Sequence, residues 1–196
     1  MVLSKICSKF QTERLKVTIV EATRPILLAT LLMLHPQQTS AENLITDARW
    51  AYLADTVMGG ISVGKAEVTS SGSETGIRLS GRVSTENNGG FIQIRTPINS
   101  SLLKEKTGVE LRVKGNGEIY YIHLRNGASR LPWHYYQASF TTKETWDTIR
   151  LPFRDFKRSS SLLPRSLNQE TLRTLGVVAY GRDHQADITV SSVDSY

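Results

Sequence analysis

The chain has 196 residues, 39% of them hydrophobic, which suits one globular domain and a small extra segment. Half of its formal charge of +6 lies before Glu42, and the other basic residues are scattered along the chain, a pattern that excludes a nucleic-acid-binding stripe. The single cysteine, Cys7, also precedes Glu42, so the remainder has no disulfide, no cysteine nucleophile and no cysteine metal site.

The first element in chain order is a leader. Basic residues up to Arg24 precede the uncharged apolar run Pro-Ile-Leu-Leu-Ala-Thr-Leu-Leu-Met-Leu, and the small residues Thr39, Ser40 and Ala41 follow it. That order is the pattern of a secretory signal peptide, and the run is too short to span a bilayer comfortably. We therefore expect a signal peptide over residues 1–41, a mature chain from Glu42 and one domain over 42–196. The protein is then exported, periplasmic or extracellular, with no stable membrane span after cleavage. An uncleaved leader acting as a membrane anchor is the alternative.

From Trp50 onward the pattern predicts strands. Residues 61–68, 76–83 and 91–95 are short runs bounded by Gly, Ser and Asn. Val109-Glu110-Leu111-Arg112-Val113 alternates apolar and charged residues, as a strand with one buried face does. Lys114-Gly115-Asn116-Gly117 then predicts a hairpin turn, with residues 118–124 as the return strand. Residues 134–140 and 146–151 predict another pair, and 177–180 and 188–193 close the series. One short helix is expected where Ser166 and Gln169 have the spacing of a capping box and Leu172 and Leu175 precede Gly176. One helix among many regularly spaced strands predicts an all-β, two-sheet sandwich.

Two glycine pairs punctuate this pattern: Gly59-Gly60 after Asp55, and Gly89-Gly90 after Asn88. Paired glycines permit positive φ and close approach of another chain segment. They flank strands and not helix starts, so they do not place a helix dipole on a phosphate. They are expected to be structural turns and bulges. Asp55 and Asn88 are expected to cap backbone amides, with calcium ligation as the alternative.

No catalytic constellation is visible. His123, His134 and His184 are not spaced as a metal pair, and no Gly-x-Ser-x-Gly or phosphate-binding glycine loop occurs. No catalytic residue, metal site or cofactor is therefore assigned. The aromatic residues are the better clue. Trp133, His134, Tyr135 and Tyr136 are consecutive, so alternate members of a strand there face opposite ways, and only one face is core. Trp133, Tyr135, Tyr121 and Arg130 are the candidate partner-binding residues, a patch able to stack on a sugar or hold a peptide.

Several fragments also line up with one family. They are Trp50, Asp55-Thr56-Val57-Met58-Gly59-Gly60-Ile61-Ser62, Asn88-Gly89-Gly90-Phe91 with Arg95, and Leu111 to Gly117 followed by Tyr120. Tyr136-Gln137-Ala138-Ser139-Phe140, Trp146, and Leu151-Pro152-Phe153 with Phe156 complete the series. From Trp50 to Tyr196 the chain resembles the complex I intermediate-associated protein 30 family, as an exported bacterial member. The resemblance implies a galactose-binding-like jelly roll. It also implies a chaperone-like role, since mitochondrial members act in early assembly of respiratory complex I. The expected function is thus a non-enzymatic binding module, an assembly or accessory factor with a protein partner. A carbohydrate-binding protein of the cell envelope, with a glycan partner, is the alternative.

Overall fold

The computed structural model describes residues 49–72 and 74–196. The leader and its expected cleavage site lie outside the described residues. No helix among the described residues is long and apolar enough to cross a membrane.

Among the described residues, eleven strands build two antiparallel sheets. They are β1 (Ala51–Ala54), β2 (Val63–Ser71), β3 (Glu74–Val83), β4 (Phe91–Pro97), β5 (Gly108–Gly115) and β6 (Ile119–Asn126). Then follow β7 (Tyr136–Thr141), β8 (Asp147–Pro152), β9 (Lys157–Arg158), β10 (Leu172–Tyr180) and β11 (His184–Ser195). The six-stranded sheet runs β1-β4-β10-β6-β7-β9, and the five-stranded sheet runs β2-β3-β11-β5-β8. This is the expected jelly-roll sandwich.

Alternation along the strands sets the core between the sheets. In β4, Ile92, Ile94 and Thr96 point inward while Phe91, Gln93 and Arg95 point outward. In β6, Tyr120, Ile122 and Leu124 are buried and Tyr121, His123 and Arg125 face out. Leu79 of β3, Leu111 of β5 and Ile188 of β11 supply the opposing layer. Each such fully buried side chain contributes roughly 1.5–3 kcal/mol of transfer free energy. The two tyrosines of the core satisfy their hydroxyls: Tyr120 donates to Asn116 Oδ1 (2.8 Å) and Tyr136 to the Pro164 carbonyl (3.0 Å).

Two expectations are corrected here. The turn at residues 114–117 is not a hairpin, because β5 and β6 belong to different sheets. Asn116 is held instead by β11: its amide donates to the Asp187 carbonyl (3.1 Å) and its side chain to the Gln185 carbonyl (2.8 Å). The link from β7 to β8 crosses between the sheets in the same way. The expected helix is also absent. Among the described residues the helical segments are 3-10 turns, and the one here is Gln169–Thr171. Its cap is Asn168, whose side chain accepts from the Glu170 amide (3.0 Å). Leu172 and Leu175 start β10 instead, on either side of a bulge that lets both face the core.

Candidate functional site

The glycine pairs and Asp55 form one buried knot. Asp55 lies in a 3-10 turn after β1 and is fully buried. Its Oδ1 accepts from the Ser62 amide (2.9 Å), and its Oδ2 from the Ser62 hydroxyl (2.5 Å), the Gly90 amide (2.6 Å) and the Phe91 amide (3.2 Å). Burial pushes this carboxyl up, but the bonds from Ser62, Gly90 and Phe91 win and hold it below its ordinary value. A Cβ on Gly60 would sit 2.3 Å from Asp55 Cγ, and one on Gly89 would sit 2.5 Å from Oδ2. Gly59 and Gly90 take φ of +90° and +124°, which glycine alone adopts readily. The two motifs are thus the two halves of one carboxylate clasp. Asp55 caps amides, while Asn88 is exposed at φ +59°. No cluster of three or more potential metal ligands occurs among the described residues. Trp50 packs against the core beside β1.

The second feature is the outer face of the six-stranded sheet. Register places Tyr180 beside Phe91, Val178 between Gln93 and Tyr121, and Gly176 between Arg95 and His123. His123 in turn pairs with Gln137 of β7. Four rings run across these strands. Tyr121 meets Tyr180 edge-on at 5.8 Å, Tyr180 meets His123 at 5.9 Å, and His123 stacks on Tyr135 at 3.9 Å and 11°. Burial pushes the His123 imidazole down to about 4, against the pull of the neighbouring Gln137 side chain, so the ring is neutral at pH 7. Burial raises the Tyr135 hydroxyl, and the nearby Tyr180 adds to the shift.

Three polar atoms on this face, His123 Nε2, Gln137 Oε1 and Thr174 Oγ1, are buried without a hydrogen-bond partner. Buried polar groups are normally paired, so three unpartnered atoms side by side set this face apart from the rest of the sheet. Gly176 carries no side chain there and is itself buried, with the Gln93 side chain against it. The nearest atoms to a Cβ at this position are Gln93 Oε1 at 3.0 Å, the Ile94 carbonyl and Val178 Cγ2.

Of the residues singled out from the sequence, Tyr121 and Tyr135 belong to this stripe, joined through Tyr180 and His123. Trp133 and Arg130 lie in the loop before β7. Trp133 is 59% exposed and meets the His134 ring edge-on at 6.4 Å. Ser159 ties that loop down: its hydroxyl donates to the Trp133 carbonyl (2.6 Å) and accepts from the Tyr135 amide (3.0 Å). Arg125 donates to the Pro132, Ser129 and Leu131 carbonyls and so holds the loop from beneath. Tyr180, Gln93, Gln137, Thr174 and Gly176 were missed. Alternation in β6 alone groups Tyr121, His123 and Arg125, but no local signal places β10 beside them.

A sequence model described as complex I intermediate-associated protein 30 matches residues 37–189. No curated protein matches the chain. Among solved structures the chain is similar to a family 11 carbohydrate-binding module from Clostridium thermocellum, in complex with a β-1,3-1,4-mixed-linked tetrasaccharide. That likeness has a TM-score of 0.62 at 13% identity and covers 79% of this chain and 92% of that one. A family 30 carbohydrate-binding module of a cellulosomal cellulase from the same organism gives a TM-score of 0.53 at 12% identity, covering 80% and 93%. At these identities the likeness shows the jelly-roll fold alone.

Proposed function

Because the chain belongs to the complex I intermediate-associated protein 30 family, we propose that it is a non-enzymatic binding module. It acts as an assembly or accessory factor for a protein complex, by family kinship respiratory complex I. It holds its partner on the outer face of the six-stranded sheet, and its leader exports it to the periplasm or cell exterior. The observation that carries this reading is the row of rings Tyr121, Tyr180, His123 and Tyr135 beside three unpartnered polar atoms. Rings and amides in an open row bind by area and hydrogen bonding. Affinity capture of the native protein followed by mass spectrometry tests it, with a Tyr180→Ala variant in parallel. A partner recovered with the parent and lost with the variant supports the face. A partner held equally by both removes it.

A second reading, a carbohydrate-binding protein of the cell envelope, is favoured by the same row, because sugar rings stack on aromatic faces and their hydroxyls pair with amides. The fold shared with carbohydrate-binding modules is compatible with it and does not select it. Glycan-array binding by the parent, lost in Tyr180→Ala, would favour this reading over a protein partner.

A further inference from the structure

Two loops meet at the β9 edge of the six-stranded sheet. One precedes β7 and carries Leu131, Pro132 and Trp133; the other follows β9 and carries Leu162. β7 and β9 pair through Tyr136 with Arg158 and Gln137 with Lys157. Ser159 then bridges the loops, with its hydroxyl between the Trp133 carbonyl and the Tyr135 amide and its own amide donating to the Tyr135 carbonyl (2.9 Å). Leu162 is three residues beyond Ser159, so at most about 10 Å of chain separates their backbones. Arg158 folds this second loop back by donating to the Ser161 and Leu163 carbonyls, and Tyr136 holds its end through the Pro164 carbonyl.

Both loops are pinned at their bases, yet their tips are apolar and exposed. Leu162 is 78% exposed, and Leu131 and Pro132 are exposed beside Trp133. The charge around these tips has one sign. Residues 127–137 and 156–168 contain Arg130, Lys157, Arg158 and Arg165 and no Asp or Glu. Asp155, just before the second stretch, is paired with Arg154 at 3.9 Å. Arg130, Lys157 and Arg165 are exposed and make no side-chain hydrogen bond or ion pair among the described residues.

We propose that this edge is a shallow membrane contact, in which Leu131, Trp133 and Leu162 enter the headgroup zone of an anionic bilayer while Arg130, Lys157 and Arg165 lie against its phosphates. An indole ring is suited to that zone, and long cationic side chains lay their stems on the apolar layer with the charge in the headgroups. A bilayer fits better than a protein. A stable protein interface takes about 20–30 residues a side, far more than these tips supply, and its polar rim carries both signs of charge. A few apolar tips ringed by unpaired cations suit reversible binding to a diffuse negative surface. Tyr121 and Tyr180 belong to β6 and β10, further into the sheet, so the contact is a separate surface from the row of rings and stands or falls apart from it.

The test is titration of the full chain with vesicles of equal parts phosphatidylglycerol and phosphatidylcholine, with and without brominated acyl chains, read by tryptophan emission and sedimentation. Of the three tryptophans, Trp50 packs against the core and Trp146 lies beneath Arg112, so Trp133 reports the contact. Its emission should move to shorter wavelength and be quenched by the brominated chains. Both changes should vanish with phosphatidylcholine alone or in high salt. Arg130→Gln and Arg165→Gln should each weaken binding about fivefold. Trp133→Ala should weaken sedimentation about tenfold. Should that variant fail to fold, the two arginine variants still decide, because their side chains have no partner to lose. Sedimentation without quenching would place the contact elsewhere on the chain and overturn the proposal. Equal binding to phosphatidylcholine alone would overturn the anionic surface. An unchanged spectrum with every vesicle would overturn the membrane contact, and capture of a soluble protein that depends on Trp133 and needs no lipid would assign this edge to a protein instead.

Discussion

Replacing Asp55 with alanine should be among the most damaging single changes outside the hydrophobic core. The substitution strips the acceptor from three backbone amides, those of Ser62, Gly90 and Phe91, and from the Ser62 hydroxyl. A buried donor left unpaired costs about 1–3 kcal/mol, and water entering the vacated space returns part of it. The net expectation is a loss of about 3–5 kcal/mol, as for breaking other buried charge-assisted sets. A domain of this size has roughly 5–15 kcal/mol in hand. At roughly 2–4 °C per kcal/mol, the melting temperature should fall by about 6–20 °C. Urea unfolding would give the free energy, and amide exchange at Gly90 and Phe91 would show whether the clasp opens locally. A loss under about 1 kcal/mol would refute the idea that this carboxylate organises both glycine motifs. Acid adds a second readout. The folded carboxyl is held below its ordinary 3.8, so the unfolded chain takes up protons first as pH falls. The stabilisation is complete above 3.8 and drains away as pH drops through the folded value. Asp55→Asn should remove that part of the acid slope.

Gly89→Ala should destabilise the parent by about 1–3 kcal/mol through its clash with Asp55 Oδ2 and much less in an Asp55→Ala background, so a double-mutant cycle should show strong coupling; additive losses would mean the contact is unimportant. His123 is held neutral, with a folded value of about 4 against 6.5, so the protein should lose stability as pH falls from about 6.5 to 4, and His123→Gln should flatten that window in a denaturation series. Trp133→Ala should leave the melting temperature within about 1 kcal/mol equivalent, because the ring is 59% exposed, while weakening partner or glycan binding; a variant that unfolds would place the ring in the core. Amino-terminal sequencing of the native protein should begin at Glu42, and a cytoplasmic protein that retains Arg24 to Ala41 would contradict export.

The sandwich was legible because it depends on local alternation: Val109 to Val113 and Tyr120 to Leu124 announce a buried face within five residues. Strand partners were not legible. Asn116-Gly117 has the chemistry of a hairpin, but hydrogen bonds from Asn116 to β11 carbonyls, about 70 residues on, hold it as a crossing between sheets. The capping-box spacing at Ser166 and Gln169 misled for the same reason, since the pairing of β10 with β4 and β6 outweighs a weak helical preference. At the candidate site, Tyr121 and Tyr135 were chosen on ring content. The ring contacts of His123 with Tyr180 emerge only when β6 and β10 lie side by side.

The two last strands of the chain occupy the interiors of their sheets. β10 lies between β4 and β6, and β11 between β3 and β5. Neither sheet is continuous while residues 172–195 are missing: each is two fragments with bare edges and nothing to bridge them. The order of synthesis is therefore the reverse of what early folding would need. With nascent chains growing at roughly 5–20 residues per second, β3, β4, β5 and β6 each wait unpaired on one side until the final segment emerges. Such a chain completes neither sheet until its synthesis is nearly finished. Losing a few residues from β11 should accordingly be far more harmful than losing the edge strand β1 or β9.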